Sequence, residues 1–188
     1  MKAYFLPAVI FVFISASCGS SKSSGPSYVP FTADLKETLE RSNVDLKKVQ
    51  FYVDEKLVLT RDLGSETAQV SSGVVKLENG RYINEVIIPA FTPGIVERSA
   101  PDGLYISFEK DNNYLKFGRG TNLAGNYYTL YGRKWQNGTA EVTYQNQVYR
   151  VSCASCGHAG SAKLLVKKSQ LDNWNKKTKV VEGRRVTK

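Results

Sequence analysis

The sequence predicts an all-β fold, an antiparallel sandwich or small barrel of about nine or ten strands with one short N-terminal helix. From Lys48 onward, apolar and polar residues alternate in short runs separated by turn residues, with no helical period between them. Two Asn-Gly pairs, at 79–80 and 137–138, each separate two β-rich runs. This dipeptide favours a tight hairpin because both of its residues tolerate positive φ.

The predicted helix comes first, and the predicted strands follow it along the chain. Thr32 caps the helix, which runs to about Ser42 and places Leu35 and Leu39 on one face. The turn sequences TPG and PDG separate strands in the middle of the chain. The strands are predicted in the runs VQFYV, KLVLTRDL, VVKLE, RYINEVII, LYISFE, NYLKFG, GNYYTLYGRKW, TAEVTYQ, QVYRVSC and AKLLVKK.

The N-terminus has the layout of a secretory signal peptide. Lys2 supplies a positive charge, residues 3–14 are nearly uncharged and apolar, and the residues before Cys18 are small. The apolar run is shorter than the ~20 residues that a membrane-spanning helix needs. The stretch ISASC, ending at Cys18, resembles the lipobox of bacterial lipoproteins in a relaxed form, with Ser15 at the position where the family usually has Leu.

This resemblance implies that residues 1–17 are removed and that Cys18 carries a covalent diacylglycerol lipid. Residues 18–30 are then a flexible tether, because GSSKSSGPS is poor in apolar residues. Gly19, rather than Asp, follows the cysteine, and by analogy with the family this implies a lipid-anchored protein of the outer membrane, on its periplasmic or cell-surface face. The alternative is an ordinary signal peptide followed by an unmodified cysteine.

The stretch CASCGHAG contains the other two cysteines and the only histidine of the chain. We predict a local disulfide between Cys153 and Cys156, because disulfides persist in exported proteins and residues i and i+3 of a turn lie within ~7 Å of each other. One alternative is a zinc site of Cys153, Cys156 and His158, which would indicate a metal-dependent envelope enzyme. A redox-active Cys-x-x-Cys is another. Gly157 interrupts the motif that haem attachment requires.

The positive charge is concentrated at the C-terminus. Of the net charge of +9, residues 163–188 contribute nine Lys or Arg against two acidic residues, whereas residues 18–162 are nearly balanced. We therefore divide the mature chain into a β domain, 31–168, and a basic segment, 169–188, that forms an edge strand pair or a loose tail. An anionic lipid surface or an acidic protein is the predicted partner, and nucleic acid is not expected for an exported protein. The predicted contact residues are Lys167, Lys168, Trp174, Lys176, Lys177, Lys179, Arg184 and Arg185.

Four aromatic residues, Tyr127, Tyr128, Tyr131 and Trp135, lie close together in the chain. Such rings either pack across strands or stack on sugars. The sequence contains no Gly-x-Ser-x-Gly, His-Glu-x-x-His or phosphate-binding glycine motif, so no catalytic residues are predicted. The predicted function is therefore a binding or assembly role, as an accessory subunit of an outer-membrane protein complex. A glycan-binding lipoprotein is the alternative binding role.

Overall fold

The computed structural model describes residues 25–64, 73–110, 113–119 and 126–175. Within these ranges the chain forms thirteen strands, and neighbouring strands pair in antiparallel fashion. In chain order the strands are β1 Tyr28–Pro30, β2 Phe51–Val53, β3 Leu57–Asp62, β4 Val74–Glu78, β5 Arg81–Ile88, β6 Pro93–Ala100, β7 Gly103–Ser107, β8 Tyr114–Arg119, β9 Tyr128–Leu130, β10 Arg133–Gln136, β11 Thr139–Tyr144, β12 Gln147–Cys153 and β13 Leu164–Lys167.

The strands form two sheets. The seven-stranded sheet has the order β1-β13-β2-β6-β7-β8-β9, and the six-stranded sheet has the order β10-β11-β12-β3-β5-β4. The chain crosses between the sheets after β2, β5, β9 and β12. One hydrophobic core contains residues of both sheets, including Leu57 and Leu59 of β3 and Ile106 of β7, all of which are fully buried. The predicted all-β antiparallel fold is confirmed, in its sandwich form. The described residues form thirteen strands rather than nine or ten, because β1 and β6 lie where no strand was predicted and one predicted strand is divided in two.

Helix α1, Ala33–Arg41, begins at the predicted position. The Thr32 side chain accepts a hydrogen bond from the backbone N–H of Leu35 at 3.1 Å, which satisfies one of the free N–H groups of the first turn. Leu39 is buried, and Leu35 packs partly buried against the same core. The face of the helix that the sequence predicts is therefore the face that packs on the sheets.

A second helix, α2 (Lys168–Asn175), lies where the sequence predicts an edge strand or a loose tail. Leu171 and Trp174, one turn apart, pack against the core. The Gln170 amide accepts a hydrogen bond from the backbone of Gln50 at 3.3 Å and donates one to the carbonyl of Lys48 at 3.2 Å. These contacts with distant parts of the chain stabilise a helix whose own sequence has only a weak apolar period.

Both Asn-Gly pairs form the predicted hairpins. Asn79 and Gly80 have φ of 50° and 75°, and they join β4 to β5. Asn137 and Gly138 have φ of 48° and 76°, and they join β10 to β11. Positive φ at both central positions gives a turn whose twist matches that of the flanking strands, so the local sequence is sufficient to place these two turns.

The run GNYYTLYGRKW, predicted as one strand, is divided between the two sheets. Its first part forms β9, its last part forms β10, and Gly132 lies at the corner between them. A Cβ on Gly132 would lie 2.5 Å from the Cβ of Ala140, so only glycine permits this close approach to β11. In addition, Tyr28–Pro30 of the predicted tether forms β1 and pairs with β13.

Candidate functional site

The cysteine loop, residues 153–163, is one of the connections that cross between the sheets. It follows β12 in the six-stranded sheet and leads to β13 in the seven-stranded sheet. The sulfur atoms of Cys153 and Cys156 are joined in a disulfide, with the two Cα atoms 5.6 Å apart. At the end of the loop, the Asp54 carboxylate accepts a hydrogen bond from the backbone of Lys163 at 2.6 Å. Burial raises the pKa of the Asp54 carboxyl, despite the nearby Lys163.

His158 has a structural role within this loop. Its ring stacks on Trp135 with centroids 4.6 Å apart and planes at 17°. Its Nδ1 accepts a hydrogen bond from the backbone N–H of Gly160 at 3.1 Å, so the side chain caps the short 3-10 helix Ala159–Ser161. The ring therefore joins the β10–β11 hairpin to the cysteine loop.

The ligand atoms of Cys153, Cys156 and His158, the alternative zinc site, do not lie together. Among the described residues, the group whose ligand atoms lie within 4.8 Å of one another is Glu55, Cys153 and Cys156, without His158. The two sulfurs are bonded to each other, so neither is the thiolate that zinc requires. Sequence reasoning missed Glu55 as a potential ligand. It lies at the corner between β2 and β3, beside the loop, and its carboxylate accepts a hydrogen bond from the Ser155 hydroxyl.

Replacing Cys153 and Cys156 together by Ser is expected to lower the free energy of unfolding by about 2 kcal/mol, because a disulfide that closes so small a loop restricts the unfolded chain only modestly. Urea unfolding without reductant measures this difference. The control is the same comparison in dithiothreitol, where parent and variant should unfold at the same urea concentration. Equal stability of the two proteins without reductant would contradict the prediction.

The structure separates the four aromatic residues that the sequence groups together. Tyr128 is buried and its ring lies 5.2 Å from that of Phe31, and Tyr127 is half-buried. Tyr131 and Trp135 remain 50% and 39% exposed. Tyr131 is therefore the more exposed of the two residues.

Tyr131 borders a cleft of about 570 Å³ between α1 and the turn that joins β6 to β7. The Lys116 ammonium lies 4.1 Å from the centre of the Tyr131 ring and forms an ion pair with Asp102. The hydrogen bond from Lys116 holds the pKa of the Asp102 carboxyl below its usual value. The charged residues that line the cleft are Lys36, Glu37, Glu40, Asp102 and Arg119.

This cleft combines one exposed aromatic ring with donors and acceptors of both charges. Its walls can therefore form hydrogen bonds with a neutral polar ligand while an apolar face of that ligand lies against Tyr131. Of the lining residues, the sequence pointed only to Tyr128 and Tyr131, because the others come from α1, the turn and strand start at β6–β7, and β8.

The predicted contact residues of the basic segment lie in different surroundings. Lys167 is on β13, with its ammonium 5.0 Å from the centre of the Tyr52 ring, and a hydrogen bond with Tyr52 raises the pKa of Lys167. Lys168 is exposed, whereas Trp174 packs against the core through part of its side chain. Cys18 and the remaining predicted contacts lie outside the described residues, namely Lys176, Lys177, Lys179, Arg184 and Arg185.

Strand β4 exposes apolar side chains on both of its faces. All five of its residues are exposed, with Val74 at 61% and Leu77 at 66%. The strand lies at the end of the six-stranded sheet and, within the described ranges, pairs with β5 alone. An amphipathic strand buries one face, so this sequence in this position leaves apolar surface that the core does not cover.

No protein-family model matches the chain, and no curated protein or solved structure shows significant similarity to it. Within the described part of the chain, none of the helices has the length and apolar character needed to cross a membrane. Over the residues that the structure describes, the fold and the candidate sites define an antiparallel β-sandwich with an exposed apolar edge strand and a polar cleft.

Proposed function

We propose that the protein is a lipid-anchored cell-envelope protein with a binding or assembly role, and that it acts as an accessory subunit of an outer-membrane complex. The lipobox-like stretch ending at Cys18 supports the anchor. The exposed apolar edge strand β4 is the observation that carries the binding role, since it provides a surface for a second protein.

Strand β4 differs from the edge at the other end of the same sheet. That edge, β10, has Arg133 and Lys134 among its exposed residues, and charged edges discourage pairing with another chain. Strand β4 also has two charged residues, Lys76 and Glu78, and Lys76 forms an ion pair with Glu85 of the neighbouring strand β5. Its other three residues, Val74, Val75 and Leu77, are exposed aliphatic side chains. A strand of a partner protein can pair with the edge of β4 that, within the described ranges, faces away from β5, and it can cover these aliphatic side chains on both faces. We propose that the occupant of this edge is such a strand.

Substituting Lys for Val75 and Leu77 together tests this proposal. The parent protein is solubilised from membranes, and an envelope protein that co-purifies with it is identified. Because the variant adds charge to the exposed edge, we expect at least tenfold lower recovery of that protein with the variant. The matched control is Val148→Lys, on β12 of the same sheet, where the native side chain is 51% exposed. Recovery that falls equally in both variants, or in neither, would rule out β4 as the docking edge.

Glycan binding is the second candidate function, and the Tyr131 cleft is the observation that favours it. Sugar rings present an apolar face to an aromatic side chain and hydroxyls to charged groups. Oligosaccharides that bind the parent protein are first selected on a glycan array. Tyr131→Ala is expected to weaken their binding at least tenfold, because it removes a stacking contact of about 1.5 kcal/mol. Trp135→Ala is the control, since Trp135 is not among the residues lining the cleft. Unchanged affinity of the Tyr131 variant would remove this candidate.

A further inference from the structure

The outer surface of the seven-stranded sheet has an aromatic face near its β1 edge, which we define by Tyr28, Tyr52, Phe91, Ile95 and Lys167. The centroid of the Tyr28 ring lies 4.9 Å from that of the Tyr52 ring and 5.1 Å from that of the Phe91 ring. Lys167 is directly opposite Tyr28 in the strand register. Phe91 is 49% exposed and Ile95 is similarly exposed, so the aromatic face presents apolar side chains beside an ammonium group.

The alternation of the strands places this face away from the core. Phe51 and Val53, on either side of Tyr52, are fully buried in the core cluster, so Tyr52 is directed to the opposite side of the sheet. On β6, Gly94 and Val96 are buried while Ile95 between them is exposed. The aromatic face is therefore the outer surface of the sandwich, and the core does not use it.

Phe91 is held outward by an uncommon backbone conformation. Its φ is 60°, in the left-handed region that large side chains rarely adopt, and its backbone N–H donates to the carbonyl of Val53 at 2.7 Å. Such a conformation persists only where surrounding contacts determine it. A large apolar side chain in a costly and exposed position suggests a contact outside the protein.

The predicted tether ends at the same edge of the sheet, because its last residues, Tyr28–Pro30, form β1. Cys18 precedes Tyr28, the first residue of β1, by ten residues. A flexible chain of that length has an r.m.s. reach of about 17 Å. If Cys18 carries the lipid, as proposed above, the bilayer surface is held near β1, and therefore near the aromatic face.

We infer that the aromatic face rests on the anionic surface of the membrane in which the lipid is anchored. Phe91, Ile95 and Tyr28 contact the headgroup region, where aromatic and apolar side chains of this kind are favourable. Lys167 keeps its ammonium at the headgroup phosphates while its alkyl chain covers apolar surface. This inference rests on the proposed lipid anchor and adds to it the orientation of the β-sandwich on the bilayer.

Quenching by brominated lipid tests the inference in the mature lipidated protein. Variants Phe91→Trp and Val148→Trp are reconstituted into vesicles of phosphatidylcholine and phosphatidylglycerol, with and without bromine on the acyl chains. After subtraction of the signal of the parent, bromine should quench the tryptophan at position 91 at least twofold more than the one at 148. Position 148 is the matched control because Val148 is equally exposed, on the other sheet.

Equal quenching at the two positions would overturn the inference. If Phe91→Trp does not fold, Ile95→Trp on the same face takes its place, with the same expected difference from Val148→Trp. The mass of the mature protein separates the two proposals. A lipid on Cys18 together with equal quenching contradicts the orientation alone, whereas a mature protein without lipid contradicts the proposed anchor.

Discussion

Phe31→Ala is expected to lower the free energy of unfolding by about 3–5 kcal/mol, the range for removing a large aromatic ring from a packed core. Phe31 lies in the chain between β1 and α1, and its side chain is fully buried. Its ring contacts Phe51 edge-to-face at 4.9 Å and Tyr128 at 5.2 Å. Because the residue joins the N-terminal segment to β2 and β9, its loss leaves a cavity that none of these elements can fill by moving alone.

The matched control for this prediction is Phe91→Ala, which removes the same side chain from an exposed position. Urea unfolding in solution, followed by circular dichroism, measures both variants. We expect Phe91→Ala to change the stability by less than about 1 kcal/mol, since 49% of the residue is still exposed to water in the folded protein. Similar losses for the two variants would contradict the assignment of Phe31 to the core.

Gly138→Ala is expected to be among the most damaging single-methyl substitutions in the chain, with a loss of about 3 kcal/mol or more. An added Cβ would lie 2.0 Å from the carbonyl oxygen of Gly157, a backbone atom of the cysteine loop. The Gly138 carbonyl also accepts a hydrogen bond from the backbone N–H of Ala159 at 2.8 Å. The methyl group therefore pushes the β10–β11 hairpin and the cysteine loop apart.

Gly80→Ala separates this clash from the effect of the backbone angle. Gly80 occupies the same position in the other Asn-Gly turn, with φ of 75° against 76° at Gly138, but nothing lies within 4 Å of an added Cβ. Its loss should therefore be about 1–2 kcal/mol, the cost of the left-handed conformation alone. Thermal or urea unfolding of the two variants gives the difference. Equal losses of stability in the two variants would show that the β10–β11 hairpin and the cysteine loop are not in close contact.

The features that the sequence predicts well are those decided by neighbouring residues. The two hairpins follow from the φ angles that Asn and Gly tolerate, and the start of α1 follows from the Thr32 hydroxyl, which accepts a backbone hydrogen bond three residues later. The close approach of Cys153 and Cys156 is local in the same sense, since a turn brings them together. In each case the interacting groups lie within a few residues of one another.

The features that the sequence does not predict depend on contacts between distant residues. Helix α2 is held by Leu171 and Trp174 against the core and by Gln170 against the segment before β2. The Tyr131 cleft brings together residues of α1 and of two strand corners that are far apart in the chain. Such contacts have no pattern within any short window of sequence, so neither feature could be inferred before the fold was known.

The amino-acid sequence by itself determined the β class of this protein, the positions of its two Asn-Gly turns and the beginning of its first helix, because these depend on local backbone preferences and on the alternation of apolar side chains. Only the tertiary structure decided which sheet each strand joins, that Tyr128 is buried while Tyr131 is exposed, and that the residues of β4 and Phe91 of the aromatic face are exposed. The physical reason is that burial is a property of the assembled sheets: the same alternating strand is core or surface according to what packs against it.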